Sequence, residues 1–169
     1  DGVPTDATVG KLYDNIDRAR AVEVFLDNVG ALSVYSVIAG NAGIGLSQPN
    51  QIAVAEKLLD SHSLYLTGNT STMYSIGHLD LDKYGPTVVE VPPGMLGMLD
   101  DAWMRFVGDF GVVGPDKGKG GKYLVLPPGY AGEVPQGYFV LKAPTFSNWF
   151  FMRGSIADGL APALKNIKD

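Results

Sequence analysis

The feature that most constrains the fold of this chain is a change of hydrophobic period near Ser63. Over residues 8–40, Leu12, Ile16, Ala19, Val22, Leu26 and Val29 recur at steps of four and three, which sets them on one face of a helix. Asp14, Asp17, Arg18 and Asp27 fall mostly off that stripe. Thr8 or Asp6 is placed to cap the start, and Gly30 is expected to break the helix, with 31–39 as a buried continuation. A loop over 40–45 and a short helix capped by Asn50 and running through Leu59 complete this part. From Ser63 onward the period is two. Short β-type runs occupy 63–67, 73–79, 87–91, 95–99, 102–107, 123–126, 138–142 and 145–152, with Gly, Pro, Asn or Asp at most junctions. The tail, 156–168, reads as a helical turn or two around Pro162. The pattern predicts an α+β fold, an N-terminal helical segment packed on an antiparallel β-sandwich of jelly-roll type. Its parts are a helical segment over 1–62, the sandwich over 63–155, and a tail or linker over 156–169, in one structural domain.

Composition excludes several functions. The 169 residues include no cysteine, so disulfide scaffolds, thiolate nucleophiles and zinc fingers are closed to the chain. Eighteen acidic against 13 basic residues give a net charge of −5, which removes the electrostatic basis for binding nucleic acid. Residues 28–55 carry no formal charge and exceed the length of a bilayer span. Asn41, Gln48, Pro49, Asn50, Gln51 and four glycines interrupt them, and no membrane span is expected. The chain starts at Asp1 without an initiator Met, which predicts processing or trimming.

Candidate sites are few. GPDKGKGGKY at 114–123 suggests a phosphate loop, but alignment on Gly121-Lys122 puts Asp116 where the first glycine belongs and Tyr123 where the magnesium hydroxyl belongs. It reads better as a long turn, with Lys117, Lys119 and Lys122 available to an anion or partner. Asp100, Asp101 and Asp109 are the weak candidates for a divalent cation, since hard cations take oxygen ligands; no other cofactor is expected. His62 and His78 are the only imidazole bases, and His78 with Asp100 and Asp101 is the weak catalytic set. The best ligand surface is the uncharged polar string Asn69, Thr70, Thr72 and Tyr74, joined by Trp103, Arg105 and Arg153 across the sheet. Such a mixture suits a small polar ligand: a sugar, a carboxylate or a polar polymer.

A series of strings then runs through the chain in order: LTGNTSTMYS at 66–75, DL at 80–81, GPTVVEVPPG at 85–94, DDAW at 100–103, GPDKGKGGKYLVLPPGY at 114–130, GEVPQGYFV at 132–140 and APT…R ending at Arg153. Together they resemble the domain-of-unknown-function 1254 family over nearly the whole chain. One departure is Ser71, where many members have an acid. The resemblance implies N-terminal helices followed by a β-sandwich in a bacterial, often exported protein, hence a periplasmic or extracellular location. It also implies a companion domain of the 1214 type, absent from this chain, so a partner is expected: the remainder of a longer protein, a second copy, or both. The leading functional expectation is a non-catalytic binding or assembly module of the cell envelope. The alternatives are a metal-assisted hydrolase acting on a polar substrate, and a structural homo-oligomer built by edge-strand pairing.

Overall fold

A computed structural model describes residues 2–63, 65 and 67–169. The fold is α+β. A long helix α1 (Asp6–Gly43) leads into strand β1 (Ile52–Val54) and then β2 (Thr72–Asp80), a short helix α2 (Leu81–Tyr84), β3 (Thr87–Val91), β4 (Met95–Asp101) and β5 (Phe106–Gly111). Strands β6 (Gly121–Leu126), β7 (Phe139–Lys142) and β8 (Ser147–Ser155) and helix α3 (Leu160–Lys168) follow. Five strands form one antiparallel sheet in the order β1-β2-β8-β4-β5, and three form a second in the order β3-β6-β7. In the second sheet β6 and β7 run parallel, a departure from the all-antiparallel expectation.

Both sheets feed one hydrophobic core. Leu79, Met95, Leu99, Phe110, Phe150 and Met152 come from the five-stranded sheet, and Val89, Val91, Tyr123 and Val125 from the three-stranded one. Edge-to-face contacts run from Phe150 to Phe110 (6.0 Å) and from Phe110 to Tyr123 (4.8 Å), so an aromatic chain ties the two sheets together. Tyr123 carries its hydroxyl into this core because the buried carboxylate of Asp116 accepts its hydrogen bond. Burial, then that bond, push the phenol up to about 12.

Three local expectations are corrected. The first concerns α1, which is capped not by Asp6 or Thr8 but by Thr5, whose hydroxyl accepts from the Thr8 amide (3.3 Å). The helix does not break at Gly30 but runs on to Gly43. Gly30 is there for close approach: a Cβ at that position would lie 2.5 Å from the Trp103 carbonyl oxygen in the turn after β4. Secondly, no helix follows Asn50. Its φ of 61° is left-handed, whereas an N-cap needs extended backbone. Ile52–Val54 instead pairs with β2, and the Ala55 amide donates to the Tyr74 carbonyl (2.8 Å). Thirdly, 102–104 is a turn, and the strand there begins only at Phe106. The expected strand over 63–67 falls partly on 64 and 66, outside the described residues.

The single apolar stripe expected on α1 is also incomplete, because Val24, Phe25, Leu32 and Tyr35 lie off it and are exposed. Phe25 is 57% and Leu26 61% exposed. Of the four glycines expected to interrupt residues 28–55, Gly30, Gly40 and Gly43 lie inside the helix, and α1 holds an 18-residue window of mean hydropathy 1.4, enough by length and composition to cross a membrane. Its C-terminal portion meets the rest of the fold through buried Val34 and Asn41, the latter accepting from the Tyr65 hydroxyl at 2.6 Å.

Candidate functional site

The core claims one face of the five-stranded sheet; the opposite face carries the candidate site. Register places Tyr74 of β2 beside Arg153 of β8, Ile76 beside Phe151 and His78 beside Trp149, all on the side away from the core. Over part of this face lies a cavity of about 480 Å³. Its floor is Tyr74, Ile76, Trp149 and Phe151, with Arg153 at one end. Val37 and Ile44 of the α1 terminus, Val54 of β1 and Leu59 supply aliphatic walls. Ser63, Tyr65 and Thr67 add hydroxyls from the connecting segment.

The floor is an aromatic ladder. Trp149 stacks on Phe151 (centroids 5.7 Å, planes 24° apart) and Phe151 on Tyr74 (6.5 Å, 30°). The Arg153 guanidinium carbon lies 5.3 Å from the centroids of both the Tyr74 and Phe151 rings. Two buried donors have no hydrogen-bond partner among the described residues, Trp149 Nε1 and Arg153 Nε. Tyr65, which bonds Asn41 on α1, has its phenol pushed up by burial.

Of the ligand residues expected from sequence, the structure brings Tyr74 and Arg153 together in this cavity. Asn69 acts behind them: its backbone amide and its Nδ2 both donate to the Tyr74 hydroxyl at 3.0 Å. Its Oδ1 accepts from the Ser71 amide (2.9 Å) and the Thr72 hydroxyl (2.9 Å), folding the turn that holds Tyr74. Thr70 is exposed on that turn. Trp103 and Arg105 belong to the β4–β5 turn and do not line the cavity. Sequence reading missed Ile76, Trp149, Phe151 and the α1 terminus. The signal was there in the alternation 74-76 and 149-151-153, but only strand register joins the two runs.

The acids and histidines do not converge. Among the described residues no three of His, Asp and Glu gather where a metal ion would sit. Asp101 is fully buried and already serves four donors: the amides of Trp103 (2.8 Å) and Arg105 (2.9 Å), and Arg105 Nε and a terminal guanidinium nitrogen at 2.7 Å each. Burial opposes its charge, yet the Arg105 and Trp103 bonds together bring the carboxyl below its ordinary value. Asp100 moves the other way, raised by burial first and then by the charges of Asp101 and Asp109. It lies across Trp149 from His78, two strand spacings or roughly 10 Å away. His78 instead bonds the Ser147 hydroxyl (2.9 Å), and exposed His62 lies 3.5 Å from Asp60.

Burial lowers the His78 pKa, with Asp80 opposing, so the folded chain holds this proton less firmly than the unfolded chain, whose value is near 6.5. The corresponding stability is complete above that value and is lost as pH falls through the window below it. Unfolding free energy measured from about pH 7 to about pH 5 is expected to decline, and His78→Gln should flatten the decline. Parallel profiles for the two proteins would show that His78 contributes nothing to it.

The glycine-rich loop spends three of its backbone amides on its own turn. Lys117 donates to the Gly114 carbonyl and Lys119 to the Asp116 carbonyl (3.0 Å each), and Gly120 to Asp116 Oδ2 (2.9 Å). Lys117 and Lys119 are exposed, and Lys122 lies 4.0 Å from Glu90.

Among solved structures, the chain is similar to the VPA0106 protein from Vibrio parahaemolyticus, with a TM-score of 0.64 at 18% identity over 86% of this chain. At that identity the likeness speaks for the fold alone, and the chain spans 35% of that protein's length. No curated protein matches it. The family model of proteins of unknown function DUF1254 matches residues 49–169, from the start of the sheet region to the last residue. The chain therefore belongs to the DUF1254 family.

Proposed function

We propose that this chain is a non-catalytic binding module that takes up a small, mainly apolar molecule in the cavity between the α1 terminus and the outer face of the five-stranded sheet. The cavity carries the reading. Its 480 Å³ suits a small ligand, and its apolar floor is edged by a few polar groups, the usual composition of such sites. A setting in the bacterial cell envelope, periplasmic or extracellular, is part of the proposal and rests on the family resemblance. Two sheets sharing one core support the sandwich form of the fold. The hydrolase alternative gains nothing from His78 and Asp100, which stand on opposite sides of Trp149.

Ala53 lies on the same face as Ile76, its partner in register, and lines the cavity. Calorimetric titration with 2-naphthamide, a neutral planar probe, is expected to show saturable one-to-one binding. Ala53→Trp, which fills the cavity, should abolish it while leaving the circular dichroism spectrum unchanged. Binding of equal strength in the variant, or none in the parent chain, would overturn the reading.

A second reading, assembly of copies of the chain, is favoured by the exposed apolar residues of α1, which surround the helix on all sides. Sedimentation equilibrium is expected to give a mass that rises with concentration above 18.0 kDa, and removal of residues 2–29 should restore the single-chain value for the shortened protein. A mass of 18.0 kDa for the whole chain at every concentration would exclude self-association through α1.

A further inference from the structure

We propose that the occupant of this cavity is an apolar carboxylic acid, bound as its anion with the carboxylate on Arg153; the inference rests on the binding reading above and narrows its ligand class. Donors and acceptors are out of balance in the cavity. Arg153 is the one charged side chain among the described lining residues, and no acid lines the cavity to neutralise it. It makes no ion pair among the described residues, and its Nε is buried without a partner. Desolvating part of a guanidinium without a counter-charge or acceptor is costly, and buried polar atoms left unpaired are rare in folded proteins. A carboxylate presents two oxygens in the geometry that the guanidinium fork matches.

The neighbours of Arg153 point to the same chemistry. The Tyr74 hydroxyl already accepts from both Asn69 nitrogens, so what it has left to offer is its proton. Trp149 Nε1, the second unpaired buried group, is also a donor and cannot accept. On the sheet floor beside Arg153 the spare polar capacity is therefore donors, whereas the hydroxyls of Ser63, Tyr65 and Thr67 lie on the connecting segment; the floor asks for an acceptor at the Arg153 end of the ligand. The walls decide the rest of the molecule. Val37, Ile44, Val54, Leu59 and Ile76 reward an apolar body, so a free inorganic anion or a sugar would leave most of the lining unused. Trp149 and Arg153 are four residues apart on one strand, roughly 13 Å, so one carboxylate cannot serve both donors. The body of the acid lies between them, over Phe151.

The test compares 2-naphthoate with 2-naphthamide by calorimetry, since the pair share a shape and differ in charge. The acid is expected to bind roughly tenfold tighter or more, the gain typical of a charge-assisted over a neutral hydrogen bond. Arg153→Met should erase that preference while retaining the amide, and Arg153→Lys should keep only part of it. Equal affinities for acid and amide in the parent chain would overturn the carboxylate inference and leave the binding reading standing. Tighter binding of cationic 2-naphthylmethylamine would overturn it in the same way. Failure of all three probes to bind would remove the binding reading and the inference together. The acid–amide comparison needs no variant, so it decides the matter even where Arg153→Met misfolds.

Discussion

Phe150→Ala is expected to lower the unfolding free energy by about 3–5 kcal/mol, the range for deleting a buried aromatic ring from a core that cannot collapse into the gap. Phe150 is 1% exposed on the inward face of β8, the strand between β2 and β4. It meets the edge of Phe110, which in turn meets Tyr123 of the other sheet, so its loss opens the contact between sheets. Its ring also fills the hollow over Gly77 of β2, where any Cβ would collide with it, so this strand pair has no side chain to close the space. Since domains of this kind are stable by only about 5–15 kcal/mol, such a loss leaves a marginal fold. Phe151→Ala is the control. That ring faces the cavity on the opposite side of the same strand and is only partly buried, so its loss should cost less than half as much. Denaturant unfolding of both variants checks the assignment of faces, and equal costs would contradict it.

Asp101→Ala is expected to cost about 2–4 kcal/mol, more than an ion pair with one exposed partner would suggest. Exposed pairs contribute at most about 1 kcal/mol, and the Arg105 side chain is 63% exposed. The larger part lies in the two amides. Trp103 and Arg105 direct their N–H groups at a carboxylate that is fully buried, and this closes a turn in which Met104 holds a left-handed φ of 58°. Removing the carboxylate takes away their acceptor and the support for that strained residue. The same turn presents the Trp103 carbonyl to Gly30, so the variant should also loosen α1, visible as faster amide exchange around Val34. A cost below about 1 kcal/mol would mean that only the surface pair matters. Both carboxylate oxygens of Asp101 are thus engaged in holding this turn and its Arg105.

Much of the sheet is legible in the sequence, because a side-chain period of two survives any tertiary context that leaves one face buried. Residues 87–91 match β3, and 73–79 lie inside β2. Where tertiary contacts outvote local propensity, the reading fails. Gly30 looks like a helix breaker by composition, yet its missing side chain is what admits the Trp103 carbonyl. Asn50 looks like a cap, but the edge of β2 offers Ile52–Val54 a ladder that a short isolated helix cannot match. The candidate site is half visible. Tyr74 and Arg153 stand out as polar residues in apolar strands, whereas Trp149 and Phe151 resemble core aromatics until register shows which face they take. Asn69 looks like a ligand-binding residue by its polarity, and its bonds make it the positioning residue behind Tyr74.

Heteronuclear amide and indole NMR during titration with 2-naphthoate tests the binding proposal most directly, because it locates the ligand as well as detecting it. The two tryptophans provide an internal comparison, Trp149 on the cavity floor and Trp103 in the β4–β5 turn, outside the cavity lining. Binding in the cavity predicts saturable shifts of the Trp149 indole and of the Tyr74, Ile76, Phe151 and Arg153 amides, with the Trp103 indole unmoved. Shifts centred on Trp103 or on the 114–121 loop, or no saturable shift at the cavity, would contradict it.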